Sequence, residues 1–448
     1  MTNQDNEREL VLDMLLQVIE GDDFSHRVLT RALRHNQNKT KQERAFISRL
    51  FTGTVKRYMT LDYIIDLFSS LPVRKMKPLI RNLLRLSVYQ LVFMNNIPAS
   101  AVCNEAVKLA KKRGFTRLSG FVNANLRTVA RMKDKIEYPD KNVDIKEYLS
   151  ILYSTPKWIV DMLLNQYTFE HVEAMLEASL REKDITIRCN RMKITPDGLK
   201  EKLIDEGVTV TMHPYLKEAF IIKDFDYLEG LNTFNEGLFT VQDVSSMLVT
   251  EVANVSSGDF VVDVCAAPGG KSLHIAEKAG RVSARDLTDY KIKLIEENML
   301  RMGIKGIETK VWDATVPDSD IFGSADVVIA DLPCSGLGVM GKKYDIKYKL
   351  TQNQQKELVE LQRKILNVVS EYVKPGGKLI YSTCTVNRHE NIENMEWFLA
   401  NHEFEAESID DYLPEALHSD TTKAGYLQLL QGVHLTDGFF ICRMKRRK

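Results

Sequence analysis

Residues 259–272, DFVVDVCAAPGGKS, decide how the rest of the chain is read. Phe260, Val261, Val262 and Val264 form an apolar, β-branched run, which suits a strand buried on both faces. Three small residues follow, Cys265, Ala266 and Ala267, and then Pro268, Gly269, Gly270 and Lys271. Beyond them Leu273, Ile275 and Ala276 share one helical face. Strand, tight glycine turn and helix open a nucleotide-binding α/β domain. Glycine lets a ligand approach the backbone, and the helix start offers N–H groups. The glycines do not spell GxGxxG, so the dinucleotide fingerprint is not matched. Arg281–Asp286 reads as the next strand, ending in an acid. Asp286 follows the turn at about the twenty residues where an acid holds ribose hydroxyls.

The 448 residues allow two to four domains. The composition, 44% hydrophobic and 27% charged, is ordinary for a soluble globular protein. No stretch approaches the ~18 uninterrupted apolar residues of a membrane span, and the polar, acidic start MTNQDNEREL does not read as a signal peptide. Six scattered cysteines without a CxxC pair argue for a reducing cytoplasm. They argue against a disulfide framework or a zinc site, so no metal is expected. The net charge of zero hides an asymmetry: residues 1–140 hold 24 Lys+Arg against 14 Asp+Glu, and the remainder carries the opposite balance. A basic first domain suggests a polyanionic partner such as nucleic acid.

The chain divides into three expected parts. Residues 1–135 read as an all-α bundle, with stripes such as Leu10, Val11, Met14, Leu15, Val18 and Ile19 at helical spacing. Pro72 and Pro98 fall between the stripes, as helix breakers should. Residues 133–146, charged and containing Pro139, form the first boundary. Residues 146–235 mix short helices and strands in a small α+β subdomain with no catalytic constellation. Residues 236–448 alternate strands and helices, which implies a largely parallel sheet.

In such sheets ligands bind at the carboxyl ends of the strands. Ala325–Ala330 runs into Asp331-Leu332-Pro333-Cys334-Ser335-Gly336. Lys378–Ser382 ends in Thr383-Cys384-Thr385, and Glu308–Trp312 ends at Asp313. A lone cysteine is usually a small core residue. Two of them, each just past a β-run of one α/β domain, read as reagents. Carbon C5 of a pyrimidine is a poor nucleophile. Thiolate addition at C6 enriches C5 enough to take a methyl group and splits one hard step into two easier ones. A base must then remove the C5 proton so that the thiol can leave. Cys384, Cys334 and Asp331 fit these roles without a metal.

CAAPGGK, DLPCSGLG and STCTV together resemble the family of RNA 5-methylcytosine methyltransferases that use S-adenosylmethionine. Phe234–Ser246 is similar to the motif that precedes the catalytic domain, Arg188-Cys189-Asn190 to the RxN element, and Asp437-Gly438-Phe439-Phe440 to the last strand. In the first part, Glu43–Phe46, Leu84–Leu91 and Phe121–Arg127 look like a NusB-type RNA-binding domain. Members with that fusion modify a cytosine in small-subunit ribosomal RNA. The resemblance implies a Rossmann-like class I methyltransferase domain with S-adenosylmethionine as cofactor and ribosomal RNA as partner, in a cytoplasmic monomer. It also implies that Cys265, Ala266, Ala267, Pro268, Gly269, Gly270 and Lys271 line the methionine and ribose part of the cofactor. Asp286 would hold the ribose hydroxyls and Asp313 the adenine side. Asp331 would sit between cofactor and base, Cys384 would attack, and Cys334 would help release the product. Leu332, Arg285 and the segment Gly341–Asp345 depart from the usual pattern; the last stands where an arginine-rich RNA-contact run is common. The rival readings are an NAD-type oxidoreductase, opposed by the missing GxGxxG, and a non-catalytic RNA-binding factor, opposed by the intact cysteine pair.

Overall fold

The stripes of the first part become helices. The computed structural model describes residues 7–95 and 97–448; the first six residues of the polar start lie outside them. The described residues form two units.

The first unit comprises residues 1–181 and 340–349. Its helices include Glu7–Leu15, Lys41–Lys56, Pro78–Phe93, Ala99–Lys112 and Ser119–Met132. Thr40 and Glu43 start the second of these with reciprocal side-chain-to-backbone bonds. Pro98 caps the fourth, as its missing N–H allows. Leu12, Leu50, Phe51, Leu83, Leu84, Val102 and Leu126 meet in one core. The helices Ile145–Leu152, Lys157–Gln166 and Phe169–Leu180 also belong to this unit, although the sequence grouped them with a subdomain beginning at 146.

Residues 340–349 enter this unit from far along the chain. Tyr344 joins its apolar core. Asp345 receives the Ser25 amide at 3.0 Å and the Ser25 hydroxyl at 2.5 Å, at the start of helix Ser25–His35. Tyr348 hydroxyl bonds the carbonyls of Lys56 and Ser154, each at 2.9 Å. Lys347 is buried, with Nζ 3.2 Å from the Tyr153 carbonyl. Tyr344 and Asp345 of this departing segment are thus buried in the helical unit, while Lys342 and Lys343 are exposed.

The second unit comprises residues 182–339 and 350–448. Strands β1 (Ile185–Cys189), β2 (Thr209–Met212), β3 (Ala219–Lys223) and β4 (Phe239–Val241) form an antiparallel sheet ordered β2-β3-β1-β4. The second sheet contains β5 (Phe260–Asp263), β6 (Arg281–Asp286), β7 (Ile307–Val311), β8 (Ala325–Asp331), β9 (Val373–Thr383), β10 (Phe404–Ala406), β11 (Tyr426–Leu429) and β12 (Phe439–Arg446). Its order is β10-β12-β9-β8-β5-β6-β7, with β11 on β12. Strands β5 to β9 run parallel and the last three antiparallel. The order reverses at β5, between β6 and β8, where open α/β sheets bind ligands. Apolar side chains bury both faces of the parallel strands.

The RxN element joins the two sheets. Arg188, fully buried, bonds Gln242 Oε1 at 2.8 Å and pairs with Glu277. Asn190 Nδ2 reaches the carbonyls of Gly237 at 2.9 Å and Met302 at 2.8 Å. Among the described residues, no helix is long and apolar enough to cross a membrane.

Candidate active site

The turn after β5 is built by its small residues. Gly269 adopts φ +103°, which a side chain disfavours, and its N–H closes the turn on Ala266 O at 2.7 Å. Ala266 N–H bonds Arg285 O at 2.8 Å, and Ala267 N–H donates to Asp286 Oδ2 at 2.9 Å. Asp286, the last residue of β6, also receives the Leu287 amide at 2.7 Å and Lys291 Nζ at 2.8 Å. Its carboxylate therefore shapes the glycine turn. Asp313, just past β7, is exposed and receives the Thr315 amide and hydroxyl, each at 2.8 Å. These bonds hold its carboxyl below the ordinary value. The apolar side chains of Leu287, Tyr290 and Val311 stand exposed beside the same strand ends.

The two cysteines meet. Cys334 Sγ lies 3.3 Å from Cys384 Sγ, and neither forms a disulfide. Neighbouring strands β8 and β9 deliver them, and further bonds lock the two loops together. Leu332 N–H donates to Ser382 O at 3.1 Å and Gly338 N–H to Cys384 O at 3.1 Å. Ser335 Oγ sits 2.7 Å from Thr385 Oγ1. A Cβ on Gly338 would lie 1.8 Å from Gly438 O and 2.8 Å from Cys384 O, so only glycine permits this approach. The Cys334 thiol is pushed well up by its bond to Cys384, then by burial and by Glu390. Cys334 therefore keeps its proton in contact with the Cys384 sulfur. Cys265 is also pushed up, by burial and by Asp286, Asp263 and Asp331.

Asp331, the last residue of β8, takes Lys271 Nζ at 2.5 Å and Ser382 Oγ at 2.9 Å. The sequence grouped Lys271 with the cofactor turn; the structure also gives it to Asp331. Burial works against the Lys271 ammonium, but Asp331, Asp263 and Cys384 outweigh it and raise its pKa. Asp263 ends β5 fully buried, with Ser272 Oγ donating at 2.6 Å. Burial pushes its carboxyl up to about 7. The sequence also passed over Glu390, whose buried carboxylate binds the Cys334 loop. It lies in the polar run NRHENIEN, which carries no signal of burial.

Among the described residues, Glu218, Glu251 and His274 bring possible ligand atoms within 4.8 Å of one another, away from the cysteines. Lys278 Nζ already bonds Glu251 at 2.7 Å. Burial, together with Arg188, Lys278 and Arg191, holds the His274 imidazole neutral well below its ordinary pKa.

Family comparisons match the helical part and the parallel sheet, and one family model groups helices Lys157–Gln166 and Phe169–Leu180 with the small antiparallel sheet, as the sequence did. Residues 250–445 match "16S rRNA methyltransferase RsmB/F", residues 5–131 the NusB family, and residues 155–226 an RsmF/B-like ferredoxin-like domain. The chain is 35% identical to the probable ribosomal RNA small subunit methyltransferase B of Bacillus subtilis, over 98% of each chain. It is 30% identical to the protein of the same name from Synechocystis, over 98% of this chain and 99% of the other. Among solved structures, PH0851 shares the fold with a TM-score of 0.81 and 24% identity, over 98% of each chain. NSun6 from Pyrococcus horikoshii with SFG does so with a TM-score of 0.59 and 23% identity, over 66% of this chain and all of the other. Full-length identity at this level, with both domain families in register, places the chain in the RsmB/F family of 16S rRNA methyltransferases.

Proposed function

We propose that the protein transfers a methyl group from S-adenosylmethionine to C5 of a cytosine in small-subunit ribosomal RNA, through a covalent Cys384–C6 adduct. The observation that carries this reading is the pair of thiols 3.3 Å apart at neighbouring strand ends, beside the Lys271–Asp331 pair.

The cofactor fits the residues present. The close-packed glycine turn admits a ligand backbone-first, two carboxylates end neighbouring strands, and exposed Leu287, Tyr290 and Val311 offer apolar walls for a base. Residues 265–271, Asp286 and Asp313 would hold it. When bound, it supplies an electrophilic methyl group next to the thiols.

The protein's own groups do the rest. Cys384 loses its proton to solvent and forms the S–C6 bond, and the C5=C6 electron pair becomes nucleophilic at C5. Lys271 nearby and the Cys334 thiol, donating to Cys384, both favour the thiolate. Asp331, fixed by Lys271 and Ser382, supports the charge change on the ring. After C5 is alkylated, its proton leaves to a base, the C5=C6 bond re-forms and the C6–S bond breaks. Cys334, in contact with the attacking sulfur, assists this release. The base must be unstacked to reach Cys384.

Serine variants test the assignment. Cys384→Ser should abolish methylation and form no adduct, because a hydroxyl is a far weaker nucleophile. Cys334→Ser should still attack but fail to eliminate, leaving an enzyme–RNA complex that survives denaturing electrophoresis. Trapping by Cys384→Ser alone would reverse the roles. Unchanged methylation in both variants would sink the reading.

A further inference from the structure

Glu390 lies six residues beyond Cys384 and is fully buried. Its carboxylate accepts four bonds from neutral donors. Oε2 takes the Ser335 amide at 2.8 Å and Gln362 Nε2 at 3.1 Å. Oε1 takes the Ser335 hydroxyl at 2.5 Å and Asn387 Nδ2 at 3.0 Å. A buried carboxylate is costly unless such bonds replace its water. A fold that needed only packing here could use an apolar residue, so the charge serves something else.

Its partners indicate what. Ser335 follows Cys334 directly, and both its amide and its hydroxyl are engaged by Glu390. Gln362 Nε2 also holds the Pro333 carbonyl, at 2.9 Å, on the other side of Cys334. On the Cys384 side, Thr385 Oγ1 meets the Ser335 hydroxyl at 2.7 Å. Asn391 Nδ2 holds Thr385 O at 3.0 Å, while Asn391 Oδ1 receives the Thr383 hydroxyl at 2.6 Å. Both neighbours of each cysteine are thus tied to buried polar side chains, three of the four through their backbone. A carboxylate can accept from all four donors at once; an amide in its place would turn its NH2 against the two donors of one oxygen.

We propose that Glu390 is a positioning residue that holds the Cys334 sulfur against Cys384 for release of the methylated base. The proposal rests on the reading of Cys384 as nucleophile and Cys334 as the releasing thiol. It predicts a defect in one step. Attack depends on Cys384 and the bound cofactor, whereas elimination depends on where Cys334 sits. A displacement of about 1 Å can cost on the order of 100-fold in rate.

The test uses the full-length chain, small-subunit ribosomal RNA and S-adenosylmethionine, with Cys334→Ser as reference. Glu390→Gln should bind cofactor normally and transfer methyl in a single turnover near the wild-type rate. Multiple turnover should fall roughly 10- to 100-fold, with denaturation-resistant enzyme–RNA complex accumulating. Ser335→Ala, which removes the hydroxyl's bonds to Glu390 and Thr385 and leaves the amide, should show the same split more weakly; it decides the matter if Glu390→Gln does not fold. Glu390→Asp, which keeps the charge, should recover part of the turnover. If Cys334→Ser traps RNA while folded Glu390→Gln and Ser335→Ala do not, the positioning role is wrong and the cysteine assignment stands. Equal loss of single and multiple turnover in Glu390→Gln would likewise overturn it. If Cys334→Ser itself does not trap, the release role of Cys334 fails, and the proposal with it.

Discussion

Asp263→Asn should stabilise the protein in alkaline solution and lose that advantage in acid. Asp263 is fully buried at the end of β5, and burial raises its carboxyl from 3.8 to about 7. The folded chain therefore prefers the proton, whereas the unfolded chain releases it near its ordinary value. The contribution to stability is intact below the unfolded pKa, declines as pH rises, and is fully lost above about 7. Ionisation then costs the fold roughly 4 kcal/mol. Between pH 5 and pH 8 the cost grows by roughly 2–3 kcal/mol. The asparagine has no proton to lose. It can keep the bond from Ser272, but its amide N–H would sit near Oδ1, which has no partner now, at a pH-independent cost of about 1–3 kcal/mol. Thermal unfolding of both proteins at the two pH values isolates the titration, because the fixed cost cancels in the comparison. At ~2–4 °C per kcal/mol for a domain of 150–250 residues, the variant's melting temperature relative to wild type should rise by about 5–10 °C from pH 5 to pH 8. An equal difference at both pH values would refute the argument and mean that Asp263 does not titrate as its burial requires.

The remaining predictions concern the first unit. Lys347→Met should raise the melting temperature at pH 7: burial, with Lys56 and Arg57 nearby, pushes the amine well below its ordinary pKa. The fold thus disfavours the ammonium, so the gain should shrink as pH approaches 10 and the unfolded lysine also loses its proton; a gain independent of pH would count against this. Replacing exposed Lys111 and Arg117 by alanine should weaken RNA binding and lower the slope of log affinity against log salt by about one to two. Lys112 and Arg113 pair with Glu9 and Asp13, so their removal should lower that slope less. An unchanged slope for Lys111 and Arg117 in filter binding would remove this face from the RNA path.

Strands β5 and β8 could be read because each is an apolar run with a marked end. Strand β9 was legible only from Lys378, yet it begins at Val373. Its pairing with β8 skips between Ala325↔Val373 and Val327↔Lys378, and this irregularity accommodates Pro375-Gly376-Gly377, which look like a turn in isolation. Both cysteines and Asp331 stood out because they follow such runs. Arg285 looked like a misplaced charge inside β6; it is buried against Asp318, with Nη1–Oδ2 at 2.8 Å, and that partner lies 33 residues on. Glu390 was invisible for the same reason, since its four donors come from three segments. The Gly341–Asp345 segment is the extreme case. Lys342 and Lys343 are exposed, as lysines usually are, but nothing local announces that Asp345 accepts from Ser25, 320 residues away.

That last contact imposes a timetable on synthesis. The helices of residues 7–181 leave the ribosome first, but Tyr344, Asp345, Lys347 and Tyr348, which finish their core, are encoded well over a hundred codons later. At ~5–20 residues per second the nascent bundle waits on the order of ten to thirty seconds with this seat empty. During that interval the Ser25 amide and the apolar seat of Tyr344 face water. The first unit to emerge therefore cannot be completed until residue 349 has been made. Its last segment is delivered from beyond Cys334, after β5 to β8 have been made.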